Sequence, residues 1–202
     1  MVSGENETNH EHVETFHSIN LVESVVGNSN KLHLKARMTS QKKSTIRHKF
    51  VDKGFYNEEI LCKFYCDVYW ATQFEALRST YFSSSDDNDN YIRSLANTAK
   101  WIAQGGKSGA TFSKTMDDRF IVKVISKVEL QMFLDFAPAY FDYMANALFD
   151  NLYFTVLCKI LGVYTIGYDN KETEKKVTEN VVVMENIFYK VRLLLCSSIT
   201  WL

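Results

Sequence analysis

The chain has 202 residues, a formal net charge of −1 and 46% apolar residues, with 14 Phe and 11 Tyr among them. That length predicts one ordinary domain plus a tail, and the apolar content excludes a globally disordered polypeptide. The near-neutral balance excludes an overall electrostatic commitment to nucleic acid, so no nucleic-acid partner is expected.

Residues 1–50 are rich in Asn, Ser, Thr, His, Glu and Lys and show no apolar period, which predicts a polar, disordered tail or linker. His10, His12 and His17 cluster there without a cysteine partner or scaffold, so no metal site is expected. From Lys31 to Lys53 there are eight Lys or Arg and one acid, Asp52. That stretch reads as a solvated linker, with an anionic-membrane contact as the alternative. The polar stretch Met1 to Asn20 has no secretory pattern. No apolar run reaches the ~18–20 residues needed to span a bilayer. Cys62, Cys66, Cys158 and Cys196 lack the spacing of a short metal pair, and buried free thiols in a reducing compartment are expected.

Order is predicted to begin near Phe55. Lys63 to Trp70 alternates, with Phe64, Cys66, Val68 and Trp70 on one side, as a strand does. Phe74, Leu77 and Tyr81 then fall at helical spacing over Ala71 to Phe82. A polar break, Ser83 to Asn90, precedes a short helix through Tyr91, Ile92 and Leu95. Ala110 to Thr115 and Arg119 to Ile125 make a hairpin around Met116-Asp117-Asp118. Lys127 to Ala137 is helical in pattern, Pro138 is expected to end or kink it, and Tyr140 to Leu152 continues as helix. Val156 to Tyr168 and Val181 to Met184 read as a second hairpin around a charged loop, Asp169 to Asn180. The sum is an α+β fold, an antiparallel sheet with helices packed on one side.

Three features carry chemistry. Gly105-Gly106-Lys107-Ser108-Gly109 can surround an oxygen-rich anion with backbone amides, although the same run makes an ordinary turn. It is not a Walker loop, because Trp101 stands where the first glycine is required. Lys123 sits in the middle of an apolar strand. It is either a lysine snorkelling from a half-buried face or a strand lysine that meets ATP phosphates. Glu129 lies six residues on, at the start of the next helix, either as a solvated glutamate beside the helix dipole or as the partner of Lys123. That spacing is much shorter than protein kinases use.

Several blocks in series then resemble the phosphatidylinositol phosphate kinases, most of all the PIKfyve type, the endosomal phosphatidylinositol 3-phosphate 5-kinases. They are Trp101 to Ala110, Asp117 to Lys123, Glu129 to Phe141, Lys159 to Tyr164 and Val183 to Asn186, supported upstream by Phe64 to Cys66, Phe74 to Arg78 and Tyr91 to Leu95. The resemblance covers about Phe55 to Tyr189 and implies a kinase N-lobe over residues 51–189. It implies that Gly105 to Gly109 cover the phosphates, that Lys123 contacts them and that Glu129 holds Lys123. It makes Met184, Glu185, Asn186 and Ile187 the hinge whose backbone meets adenine. It further implies ATP with Mg²⁺, phosphatidylinositol 3-phosphate as lipid substrate, and a cytoplasmic protein peripheral on endosomal membrane.

The family continues beyond the hinge with an Asp-Leu-Lys-Gly-Ser segment, a catalytic and a metal-binding aspartate and an activation loop. Residues 190–202 instead form an unplaced apolar tail. Phe149 to Thr155 also departs, since the family carries a proline-containing stretch there. This chain is therefore expected to be a truncated, inactive fragment with no metal residues of its own. The alternative is a non-catalytic nucleotide-binding or interaction module derived from such a kinase.

Overall fold

The computed structural model describes residues 29–53, 60–82, 86–101, 111–150 and 155–189. Seven strands form one antiparallel sheet: β1 (Thr45–Lys53), β2 (Ile60–Tyr69), β3 (Thr98–Trp101), β4 (Phe112–Thr115), β5 (Phe120–Ile125), β6 (Ile160–Asn170) and β7 (Lys175–Glu185). Their spatial order is β1-β2-β6-β7-β5-β4-β3. Four helices accompany them: α1 over residues 29–38, α2 (Ala71–Tyr81), α3 (Asp86–Leu95) and α4 (Lys127–Phe149). This is the α+β class expected from the alternation of period-2 and period-3.6 segments.

The two faces of the sheet are read from the pairing of β5 with β7. Lys123 lies opposite Val182 and Ile121 opposite Met184, whereas Phe120 lies opposite Glu185 and Val122 opposite Val183. Side chains alternate along a strand, so Ile121, Lys123, Ile125, Val182 and Met184 share one face. Phe120, Val122, Val183 and Glu185 share the other. Helix α3 covers this second face: the Tyr91 ring lies 5.2 Å from that of Phe120, and its hydroxyl is 2.9 Å from that of Tyr164.

Helices α2 and α4 meet through aromatic side chains. Phe74 is fully buried, with its ring edge-on to Phe141 at 5.0 Å and stacked on Phe133 at 6.1 Å. Strand β2 passes straight into α2 through Trp70, whose backbone is left-handed (φ 50°). That conformation costs roughly 1–2 kcal/mol for a residue with a Cβ. It is offset by burial of the indole against Phe141, at 5.9 Å between rings.

Two expectations are corrected. Pro138 does not end the helix, because α4 runs through it for 23 residues. Proline costs about 3 kcal/mol in a helix interior. Here Leu130 and Ala137 on one side and Tyr140, Phe141 and Met144 on the other are all buried, and one unbroken helix is what keeps them there together. The charged segment Asp169 to Asn180 is mostly strand rather than loop. Residues 171–174 alone turn the chain, with Glu174 left-handed at φ 52°. Its charges occupy exposed rungs of a paired ribbon, which polarity alone does not distinguish from a loop.

The segment expected to be a tail also holds structure. Met38, at the end of α1, is fully buried. The Gln73 amide of α2 donates to the carbonyls of Ser40 and Lys42, at 2.8 and 2.9 Å. Ser44 accepts from the Ala71 and Thr72 N–H groups through its carbonyl and hydroxyl, supplying the N-terminal cap that Trp70 lacks. Strand β1 then forms the sheet edge beside β2, with Arg47 clamped to the Asp67 carboxylate by two hydrogen bonds. His10, His12, His17, Cys196 and the apolar tail 190–202 lie outside the described residues. Of the other cysteines, all free, Cys62 is buried and Cys66 and Cys158 are half-buried.

Candidate functional site

Lys123 and Glu129 are brought together by the tight passage from β5 into α4. Ser126 is the N-cap of α4: its hydroxyl accepts from the Glu129 N–H at 3.1 Å, and Glu129 Oε2 accepts from the Ser126 N–H at 2.8 Å. This reciprocal box fixes the glutamate rotamer. The free oxygen, Oε1, then accepts from Lys123 Nζ at 3.0 Å. The Ser-x-x-Glu spacing over residues 126–129 is the sequence signal for this cap.

The pair contributes little to the fold. The side chains are 26% and 47% exposed, and such ion pairs are worth about 0–1 kcal/mol. Its consequence is placement, since it holds an ammonium on the face shared with Ile121 and Met184. The Glu129 carboxyl is pulled down to about 2 from an ordinary 4.5, first by the backbone N–H of Ser126 and then by Lys123. A carboxyl lowered on folding adds stability above its unfolded value and loses it on acidification. The box and ion pair are therefore expected to weaken as pH falls from about 4.5 towards about 2. Glu129→Gln should flatten that part of a denaturation-versus-pH curve, and an unchanged curve would contradict the assignment.

The expected hinge, Met184 to Ile187, spans the end of β7 and the turn after it. Two of its N–H groups are already spent, Glu185 on the Lys159 carbonyl at 3.0 Å and Asn186 on the Arg119 carbonyl at 2.9 Å. The Phe188 N–H goes to Asn186 Oδ1 at 3.1 Å. Among the described residues the Ile187 N–H has no partner, and the Glu185 carbonyl accepts only from the Cys158 thiol, at 3.3 Å. Of the four residues expected to meet adenine, the structure thus leaves a donor at Ile187 and a lone pair at Glu185. The Met184 side chain lies on the Lys123 face.

The glycine cluster, Gly105, Gly106, Lys107, Ser108 and Gly109, lies outside the described residues. Its anchors are described. It joins β3 to β4, whose last pair before the connection is Trp101 with Phe112. Phe112 in turn pairs with Lys123. The register therefore sets Lys123 one strand from the mouth of that connection. Among the described residues no group of three or more His, Cys, Asp or Glu side chains could hold a metal ion. These residues do not form a magnesium site.

The chain is similar to known proteins over much of its length. The family described as Phosphatidylinositol-4-phosphate 5-Kinase matches residues 94–194, half of the chain. The chain belongs to this phosphatidylinositol phosphate kinase family, whose members are lipid kinases. It is 50% identical over 129 residues to human 1-phosphatidylinositol 3-phosphate 5-kinase, covering 63% of this chain and 6% of that protein. It is 38% identical over 154 residues to 1-phosphatidylinositol 3-phosphate 5-kinase FAB1 of Saccharomyces cerevisiae, covering 76% of this chain and 6% of the relative. The putatively assigned Arabidopsis thaliana relative FAB1C is 43% identical over 131 residues. The chain thus spans about 6% of the length of its human and yeast relatives.

Proposed function

We propose that this chain is the ATP-gripping N-lobe of a phosphatidylinositol 3-phosphate 5-kinase. The reaction proposed for the whole enzyme moves the γ-phosphoryl of ATP to the inositol 5-hydroxyl of phosphatidylinositol 3-phosphate. The observation that carries this reading is the Lys123–Glu129 pair, at 3.0 Å, on the sheet face that the hinge residue Met184 shares. Lys123 would lie against phosphate oxygens and balance their charge, with Glu129 holding it in place. The Ile187 N–H and the Glu185 carbonyl would orient the base. Phosphoryl transfer depends on such positioning and charge balance. Magnesium supplies further neutralisation in such reactions. Cytoplasmic placement, peripheral on endosomal membrane, belongs to the same proposal. It fits a chain with no helix, among the described residues, long and apolar enough to cross a bilayer.

A second reading is favoured by the exposure of Val156 (95%), Leu157 (52%), Ile187 (57%) and Phe188 (67%) at the hinge end. Such a patch suits a protein contact, as in a non-catalytic interaction module. One assay separates the two. Within these 202 residues no Asp or Glu follows Glu185. The purified chain with ATP, Mg²⁺ and phosphatidylinositol 3-phosphate liposomes is expected to bind ATP saturably and to form no bisphosphate. Product formation would show that these residues suffice for catalysis. A complete lack of ATP binding would leave the interaction reading.

A further inference from the structure

The hinge carries a charged cluster on the face opposite Lys123. Glu185 lies opposite Phe120 in the ladder, one residue out of phase with Met184 and Lys123. Its carboxylate therefore points away from the face on which a nucleotide would meet Lys123. There it is fully occupied. Oε1 accepts from the Lys159 backbone N–H at 2.8 Å and from Lys159 Nζ at 3.0 Å, and Oε2 accepts from the Tyr81 hydroxyl at 2.5 Å. The Lys159 ammonium also sits 5.1 Å from the centre of the Tyr81 ring. Only 14% of the Glu185 side chain and 16% of the Lys159 side chain are exposed.

A carboxylate this covered is costly to desolvate, and removing one partner of such a pair is far more damaging than removing an exposed one. What the pair holds is the hinge. Glu185 ties the end of β7 to the start of β6, where the pairing slips between Ile160 and Gly162, and to the last turn of α2 through Tyr81. Asn186 ties the next residue to the β4–β5 turn, donating its side-chain amide to the Asp118 carbonyl at 2.7 Å. The backbone of residues 185–187 is thereby braced from β6, α2 and the β4–β5 turn. Among the described residues the Ile187 N–H is left over to meet a base.

We infer that Glu185 is a positioning residue: acting through Lys159 and Tyr81 from the far face of the sheet, it sets the hinge backbone that recognises the base of the nucleotide. This rests on the nucleotide reading above. It separates two parts of the site, because the phosphate end, at Lys123 and Glu129, does not depend on the Glu185 carboxylate.

The test compares two probes on the same chain, ATP and inorganic tripolyphosphate, which carries the phosphates without the base. Dissociation constants are measured for wild type, Glu185→Ala, Glu185→Gln and Tyr81→Phe, with melting temperatures alongside. Tyr91→Phe, which removes a hydroxyl bonded to Tyr164 and not to Glu185, Lys159 or Tyr81, is the control. Wild type is expected to prefer ATP. Glu185→Ala should lose about tenfold of that preference, the scale of one charge-assisted hydrogen bond, while tripolyphosphate affinity holds. Glu185→Gln and Tyr81→Phe keep the side-chain volume and should shift the ratio in the same direction by less. They carry the test if the alanine variant does not fold. An unchanged ratio, or a parallel loss for both probes that tracks the melting temperature, overturns the inference. A wild type with no preference for ATP overturns the nucleotide reading itself.

Discussion

Lys123→Met is expected to weaken ATP binding by about tenfold to a hundredfold, the scale of one hydrogen bond to a charged group, ~1.5–3 kcal/mol. The fold should hardly notice. Lys123 is partly exposed on a strand whose apolar neighbours Ile121 and Ile125 carry the burial, and an exposed ion pair is worth about 1 kcal/mol at most. Glu129→Gln should have a smaller effect in the same direction, because glutamine can still accept from Lys123 but no longer fixes it by charge. Titration calorimetry with ATP, beside a melting curve, separates affinity from stability. Equal ATP affinity in wild type and Lys123→Met would remove the lysine from the site.

The largest expected effect on stability is at the contact of α2 with α4. Phe74→Ala should cost about 3–5 kcal/mol, the range for emptying a well-packed aromatic site. Folded domains have only about 5–15 kcal/mol in total. Phe74 is fully buried between Phe133 and Phe141, and Phe141 packs in turn on Trp70. The hole would thus loosen the β2-to-α2 turn as well as α4. Urea unfolding followed by tryptophan fluorescence reads this directly, since Trp70 lies in the same cluster. A loss below about 1 kcal/mol would mean that the cluster is not central to the core.

Much of this was legible because it is local. The hairpin of β4 and β5, the helix carrying Phe74 and Leu77, and the approach of Glu129 to Lys123 all follow from spacing within a dozen residues. What escaped depends on distant partners. Strand β1 and the segment before it join the fold through backbone carbonyls meeting Gln73, through Ser44 capping α2 and through Met38 alone. No apolar stripe marks such contacts. On β1 itself Ile46, Phe50 and Val51 are exposed at the sheet edge, so its composition carries no clear burial pattern. Strand β3 has four exposed residues, and its pairing with β4 defines it. Pro138 misled because a local steric rule was outweighed by burial on both sides of it.

The site divides in the same way. Lys123 stands out because a lysine in the middle of an apolar strand is unusual in its context, and Glu129 because it follows six residues on, at the start of the next helix. Lys159 and Tyr81 do not stand out. Their link to Glu185 spans 26 residues in one case and 104 in the other, and each alone reads as an ordinary surface lysine or core tyrosine.

The measurement that tests the central claim most directly is an amide chemical-shift titration of the isotope-labelled chain with ATP. The account predicts saturable shifts at Ile187, Lys123 and Glu129 with one shared dissociation constant, and no response at Arg47 on β1 or at Asp67 on β2. Shifts confined to the basic β1 edge, or none at the hinge at any ATP concentration, would contradict it.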